Sequence, residues 1–365
     1  MKAYKYKLKL NRAFASNCAM TLDLCRELYN ASLQERRGAY SIRHLSLNYH
    51  DQRKQLPEIK LIRPEVAGVH SQVLQDVLRR CDKAFDHFFR RLKKGETPGY
   101  PRFKGRDRFN SFCYPQSGFR LEGDKLHLSK IGSCRLRLSR PVEGRIKTCT
   151  IKREESGWFV IFAVEPNQSR FIPKTGKKVA VDVGLTHFAT LSTGERIHNP
   201  RFYRAAEQKL GEAQRKLSTK KRGSNKRRAA KKIVAQAHRK IANQRQHFFH
   251  HTANELLKRY DEIHLEDLQI RQMIRQSHLA KSISDAGWGT FISITAHKAE
   301  EAGKQVRKKV AAGTSQTCSR CGHQLEVKLK LSDRVFECPK CGQRMDRDWN
   351  SAINILNGRA SRRKK

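Results

Sequence analysis

Acidic residues are the scarce class in this chain: 34 Asp and Glu stand against 77 Lys and Arg, a formal net charge of +43 over 365 residues. Solubility alone needs far less charge, so the imbalance points to a large polyanion whose phosphates neutralise the repulsion. Long apolar runs are lacking as well. No segment approaches the length of a spanning helix, and Met1-Lys-Ala-Tyr-Lys-Tyr-Lys lacks the apolar stretch of a signal peptide, which sets the membrane aside and leads us to expect a soluble protein inside the cell. Outside one region the cysteines lack any repeating spacing: Cys18, Cys25, Cys81, Cys113, Cys134 and Cys149 are scattered. That argues against a disulfide scaffold and for free thiols in a reducing compartment.

The exceptional region is Cys318-Ser-Arg-Cys321, followed after sixteen residues by Cys338-Pro-Lys-Cys341. Two C-x2-C knuckles at this separation, with Gly322 and Gly342 one residue beyond each, are the pattern of a four-thiolate zinc ribbon. Chance pairing of core cysteines seldom produces it. The shell would be closed, leaving no position for substrate, so the metal is read as structural.

A chain of this length accommodates two or three compact modules. Residues 3 to 10 alternate apolar or aromatic with lysine and read as a strand with one packed and one cationic face. From Phe14 to Tyr40 the period becomes helical, with Leu22, Cys25, Leu28, Tyr29, Ser32 and Leu33 on one face. A second helix is expected from Pro64 to Leu92. Gly95 to Gly105 then breaks helical structure and interleaves Tyr100, Arg102, Phe103 and Lys104, rings for stacking and cations for phosphate, although a solvated basic loop reads equally well. Short alternating segments at Lys125 to Ser129, Cys134 to Leu138, Arg145 to Lys152 and Trp158 to Val164 suggest a small barrel or sandwich that the N-terminal strand could join.

Beyond the linker-like Pro173 to Lys178, Val179-Ala-Val-Asp182-Val-Gly184 reads as a buried strand. A carboxylate there is costly unless it is paired or holds a metal. Residues 201 to 260 read as two antiparallel helices, and between them Lys220, Lys221, Arg222, Lys226, Arg227 and Arg228 are dense enough for phosphate contact. His264-Leu-Glu266 ends another short strand, a helix runs through Trp288 and Phe291 towards Gly303, and a strand from Gln305 to Val310 leads into the ribbon. Asp348 to Leu356 reads as a short amphipathic helix, and the basic tail from Arg359 is expected to be disordered.

Asp182, Glu266 and Asp348 are candidates for one site. Phosphodiester hydrolysis uses two divalent ions held about 4 Å apart by shared carboxylates, and hard oxygen donors suit magnesium or manganese whereas thiolates suit zinc. Asp182 is assigned as bridging ligand, Glu266 as a ligand that also orients water, and Asp348 as the third ligand. By residue type each could equally be a turn, a surface acid or a helix cap, and Asp346 competes with Asp348.

The runs Ala180-Val-Asp-Val-Gly-Leu185, His264-Leu-Glu-Asp-Leu268, the paired cysteines and Asp346-Arg-Asp-Trp-Asn-Ser-Ala352 resemble the TnpB (OrfB) proteins of small bacterial insertion sequences, relatives of the type V CRISPR effectors. Gly99-Tyr-Pro-Arg-Phe-Lys104, Gly223 to Arg228, Lys240 to Asn243 and Thr314-Ser-Gln-Thr-Cys318 extend the resemblance over nearly the whole chain. It implies an α+β multidomain fold: a wedge-type barrel (1–13 and 95–172) with an inserted helical recognition module (14–94), then a RuvC-like nuclease of RNase H fold (173–310 and 343–357) interrupted by the ribbon (311–342). It also implies a guide RNA from the transposon end, one protein per guide, double-stranded DNA with a short adjacent motif as target, and a bacterial, nucleoid-associated location. The family's catalytic trio falls on Asp182, Glu266 and Asp348, which decides against Asp346. Gln72 and Gln75 are candidate motif readers. Trp349 stands where many members carry a smaller aliphatic residue. The resulting expectation is an RNA-guided DNA endonuclease with zinc in the ribbon and magnesium or manganese at the acids. Its rivals are an RNA-guided repressor and an RNA-independent transposase or resolvase.

Overall fold

The computed structural model describes residues 1–167, 172–276, 278–310, 313–330 and 332–358, and of Gln276 only the backbone. The expected basic tail lies outside the described residues. The chain is a mixed α/β protein of two compact units, Met1–Gln168 and Ser169–Lys365.

The first unit runs β1 (Lys2–Lys9), α1 (Arg12–Arg43), α2 (Tyr49–Lys54), α3 (Leu56–Ile62), α4 (Pro64–Ala67), α5 (Ser71–Lys93), β2 (Ser111–Tyr114), β3 (Phe119–Glu122), β4 (Lys125–Leu128), β5 (Gly132–Arg137), β6 (Arg145–Glu154) and β7 (Gly157–Glu165). Its strands form one antiparallel sheet in the order β2-β6-β7-β1-β5-β4-β3. The lysine alternation of β1 fixes its facing: Tyr4, Tyr6 and Leu8 are buried while Lys5, Lys7 and Lys9 are exposed. Asn11 starts α1 by accepting the Phe14 N–H at 2.8 Å, and the helical face from Leu22 to Leu33 is buried as expected. Sheet and helices share one hydrophobic core.

The helix expected from Pro64 to Leu92 is broken. α4 ends after Ala67, and α5 begins only after His70 leaves helical geometry at ψ 132°. Val66, Val69 and Val73 keep helical spacing and are all buried, so the apolar pattern conceals the break. Gly68 weakens the helix there, and the His70 ring packs on Gly118, where a Cβ would approach it to 2.7 Å.

The second unit runs β8 (Lys178–Val183), β9 (His187–Leu191), β10 (Arg196–His198), α6 (Phe202–Ser218), α7 (Asn225–Arg259), β11 (Glu262–Glu266), α8 (Ile270–Gln276), α9 (Ala280–Ala286), α10 (Trp288–Glu301), β12 (Gln305–Lys309), β13 (Val335–Glu337), β14 (Arg344–Asp346) and α11 (Arg347–Asn357). Its main sheet has the order β10-β9-β8-β11-β12, with β8, β11 and β12 parallel. Parallel strands are buried on both faces, and Val179, Val181, Ile263 and Leu265 are fully enclosed. Phe188 of β9 meets Phe249 of α7 and Phe291 of α10 at centroid distances of 5.8 and 5.1 Å. On α7 Ile241, Thr252 and Leu256 are buried, while Ile233 is exposed. No described helix is long and apolar enough to cross a membrane.

Candidate active site and metal-binding ribbon

The parallel pairing of β8 with β11 sets Val181 opposite Leu265, so the next residues, Asp182 and Glu266, leave the carboxyl ends of neighbouring central strands together. Ligands gather at such strand ends in open α/β sheets. The third acid arrives on α11, which packs against β8. Its start is set by Asp346, whose carboxylate accepts the Trp349 N–H at 3.0 Å and pairs with Arg196 at 2.8 Å. Asp346 is therefore the helix cap, and Asp348, in the first turn of the helix, faces a cavity of about 470 Å³ that Asp182 and Glu266 also line. Trp349 points away, its indole N–H donating to the Ser192 carbonyl at 3.1 Å and its ring lying against Gly194.

The electrostatics of the cavity follow from crowding. Burial, then the Glu266 and Asp348 charges, hold the Asp182 carboxyl well above its ordinary range against the opposing effects of Arg347 and Ser351. Burial likewise lifts Glu266 to about 7, with the Thr314 hydrogen bond opposing and Asp348 adding to the rise. Asp348 is the best neutralised of the three: the Arg347 guanidinium reaches its Oδ1 at 3.1 and 3.3 Å, and Arg334 stands 3.7 Å from Oδ2. Hard oxygen donors that suppress each other's ionisation are a donor set suited to a divalent cation, whose charge removes the penalty.

Residues that sequence reasoning passed over hold this arrangement. Ser351 donates to the Thr314 hydroxyl and Thr314 donates to Glu266 Oε1, each at 3.0 Å, joining α11, the loop before the ribbon and β11. Asn350 and Asn354, four apart and fully buried, clamp the same loop. Asn350 accepts the Ser319 N–H at 2.9 Å and donates to the Thr317 carbonyl at 2.8 Å, while Asn354 donates to the Thr314 and Thr317 carbonyls at 2.8 and 2.6 Å. Their helical spacing, on a face otherwise built of Ala352 and Ile355, was the available signal.

The ribbon closes on its four cysteines. In each knuckle the first cysteine's carbonyl accepts from the glycine, Gly322 or Gly342, at 2.9 Å, and both glycines have positive φ, 78° and 70°. The first cysteine's own N–H donates across the turn to His323 or Gln343. All four sulfurs lie within 4.8 Å of one another, and no comparable grouping of the acids occurs among the described residues. Four sulfurs each about 2.3 Å from one tetrahedral ion stand about 3.8 Å apart, and Cys318–Cys341 and Cys321–Cys338 are at 3.7 and 3.6 Å. Burial opposes ionisation of Cys338, but the N–H groups of Cys341 and Lys340 outweigh it and bring the thiol to about 7. The residues fit a structural metal such as zinc.

The candidate nucleic-acid residues divide between the units. In the first, Tyr100 and Phe103 are 44% and 43% exposed, with the Arg37 guanidinium 5.8 and 5.4 Å from their ring centres. Arg102 is exposed, Gln75 is half-buried, and Gln72 accepts the Ser117 N–H at 3.0 Å. The Lys104 ammonium lies over Tyr29. In the second, Lys220, Lys221, Arg222, Lys226 and Arg228 are exposed around the loop joining α6 to α7. Arg227 differs: its guanidinium is bound to the Leu217 and Lys220 carbonyls, both at 2.9 Å, and closes the end of α6.

Three family models match the chain: one described as a probable transposase (OrfB, IS605 type) over residues 161–277, a Cas12f1-like TNB domain over 288–355, and a helix-turn-helix domain over 1–44. The last span is here β1 and one unbroken helix. A Streptomyces pristinaespiralis protein named a putative RNA-guided DNA endonuclease is 33% identical over 97% of this chain and 88% of its own length. Escherichia coli K12 InsQ, named likewise, is 31% identical over 78% of this chain and 74% of its own. In fold, the chain is similar to Cas12f1 from a cryo-EM structure with guide RNA and target DNA, with a TM-score of 0.61 at 14% identity over 96% of this chain and 84% of that one. Acids at the ends of paired central strands, a four-cysteine ribbon and similarity at this level over nearly the whole chain place it in the TnpB (OrfB) family.

Proposed function

We propose that this protein is an RNA-guided DNA endonuclease of an insertion sequence, cutting target DNA beside a short transposon-associated motif at a single RuvC-like site. The observation that carries the reading is the convergence of Asp182, Glu266 and Asp348 on one cavity in a chain of net charge +43. The relatives named RNA-guided DNA endonucleases support it. Base pairing with a guide from the transposon end would read the target, while the basic surfaces hold the duplex by its backbone.

In this reading the first unit comprises the wedge barrel and recognition module, and the second comprises the RuvC-like nuclease with its ribbon. Asp182, Glu266 and Asp348 would hold magnesium or manganese at the cavity they line. When bound, such ions supply an activated water and charge on the leaving oxygen. The chain's own part is to present three carboxylates on rigid elements. Thr314 fixes the Glu266 carboxyl through its hydroxyl, and Arg347 fixes that of Asp348. Cys318, Cys321, Cys338 and Cys341 would hold zinc beside the Thr314–Ser319 loop that Asn350 and Asn354 grip.

D182A is expected to abolish cleavage while RNA-dependent DNA binding persists; full cleavage by D182A in magnesium would overturn the site assignment. The probable-transposase description of the matched family model favours a second reading, strand cutting at transposon ends without RNA. Ribonuclease treatment separates the two, because activity that survives it belongs to the second.

A further inference from the structure

A second cavity, of about 450 Å³, opens in the same unit, and Leu185 and Leu279 line both it and the acid-lined one. Its polar lining includes Arg201, Arg204, Asn199 and Ser282. Asp285 is the carboxylate among the lining residues, and it is fully engaged. It accepts the Tyr203 and Arg204 N–H groups at 2.9 and 3.3 Å and the Arg245 guanidinium at 3.0 Å. The start of α6 is thus closed by the chain itself, and any affinity for an anion rests on guanidinium groups. Arg204 is engaged too, with Glu207 at 3.0 Å and the Ser282 hydroxyl at 3.3 Å.

Arg201 is different. The hydrogen bond its guanidinium makes is long, 3.4 Å to the Leu185 carbonyl, and no ion pair involves it among the described residues. Asn199 holds its position: Oδ1 accepts the Arg201 N–H at 3.3 Å while Nδ2 donates to the same Leu185 carbonyl at 2.8 Å. The Arg201 backbone is left-handed, φ 46°, a conformation disfavoured for a residue that carries a side chain. A long cation with most of its donors unengaged therefore stands in a cavity whose wall is shared with the catalytic one.

We propose that this cavity seats a neighbouring phosphodiester of the strand being cut, its oxygens held by the Arg201 fork, so that the scissile phosphate is positioned at Asp182, Glu266 and Asp348. Guanidinium geometry suits two phosphate oxygens at once. Arg201 is a positioning residue in this role, and the inference rests on the nuclease reading above.

The test uses the full-length, RNA-loaded protein and a DNA target matched to its RNA. R201A should lower kcat/KM by about ten- to a hundredfold, mostly through KM, as expected for one charge-assisted contact. The slope of log(kcat/KM) against log[salt] should become shallower by about 0.7, the signature of one lost contact to a single-strand phosphate. R201K should restore the salt slope and only part of the rate. A neutral methylphosphonate placed at each position around the cut should reproduce the loss at one position in the wild type and add nothing there in R201A. The wild-type arm of that scan locates the contacted phosphate, and R201Q, which is neutral but keeps most of the side chain's length, replaces R201A in the coupling arm where that variant folds poorly. A wild type that cuts DNA while R201A keeps both kcat/KM and salt slope overturns this inference alone. Methylphosphonate penalties that multiply fully with R201A at every position also overturn it. A wild type that cuts no DNA overturns the nuclease reading and this one with it.

Discussion

Replacing Glu266 by Gln tests whether the acid-lined cavity holds an electrostatic penalty that a divalent cation relieves. An ordinary glutamate titrates near 4.5, and here burial lifts the group to about 7, with Thr314 opposing and Asp348 adding. Between these values the folded protein keeps a proton that the unfolded chain has lost. The stability from the protonated form is therefore fully present below pH 4.5 and is lost as pH rises through about 7. The displacement corresponds to about 3 kcal/mol at about 1.4 kcal/mol per pH unit. Glutamine carries no charge at any pH, and its carbonyl oxygen can still accept the Thr314 hydroxyl. With magnesium dialysed away and zinc retained, E266Q should exceed the wild type by up to about 3 kcal/mol at pH 8 and match it at pH 4. For a unit of roughly 200 residues that is a rise in Tm of about 6–12 °C. Millimolar magnesium should then raise the Tm of the wild type at pH 8 and leave that of E266Q unchanged. A variant no more stable than the wild type at pH 8, or stabilised equally at pH 4, would refute the reasoning.

Three further outcomes are expected. C338S should lose the metal and unfold the ribbon, whose buried core among the described residues is Phe336, Cys318 and Cys338; bound zinc should fall from one per chain to none, measured by metal analysis, with limited proteolysis newly cutting the ribbon. N354L removes the Asn354 donor from the buried Thr314 carbonyl, while Asn350 still serves that of Thr317, and should cost about 1–3 kcal/mol, read as a lowered urea midpoint with an unchanged slope. G194A strains a backbone at φ 90° and brings a Cβ within 3.3 Å of the Trp349 ring; it should cost about 1–2 kcal/mol, again read as a lowered midpoint, and the double variant with W349L should recover part of that loss.

Much of the scaffold was legible because local chemistry dictates it. The lysine alternation of β1, the buried face of α1 and the near-continuous apolar run of β8 each read directly as the structure shows them, and the cysteine spacing foretold the clustering of the four sulfurs. β2 and β3, four residues each, display little of a period, though the equally short β4 did alternate legibly, and α2 and α3 are only six and seven residues long. The break between α4 and α5 was hidden because Val66, Val69 and Val73 stay buried across it. Which acids meet was not written in spacing, since the pairing of β8 with β11 joins residues more than eighty apart. Asp346 and Asp348 are alike by residue type and spacing, and only the family resemblance favoured Asp348; in the structure Asp346 caps α11 and Asp348 faces the cavity. Arg227 looked like its basic neighbours, yet its donors go to two carbonyls, a use that composition does not reveal. Asn350, Asn354 and Thr314 read as polar helix or loop residues, and only their burial shows that they join the ribbon to the acids.

The central claim is that RNA held by this protein directs cutting at the Asp182, Glu266 and Asp348 site. The most direct measurement is to sequence the RNA that co-purifies with the protein, place its complement in a plasmid library with randomised flanking sequence, and map cuts made in magnesium. The account predicts cuts only beside the complementary sequence, only next to one short motif, and none with D182A or after ribonuclease treatment. Cuts that persist after ribonuclease treatment, or that D182A makes at the wild-type rate, would contradict it.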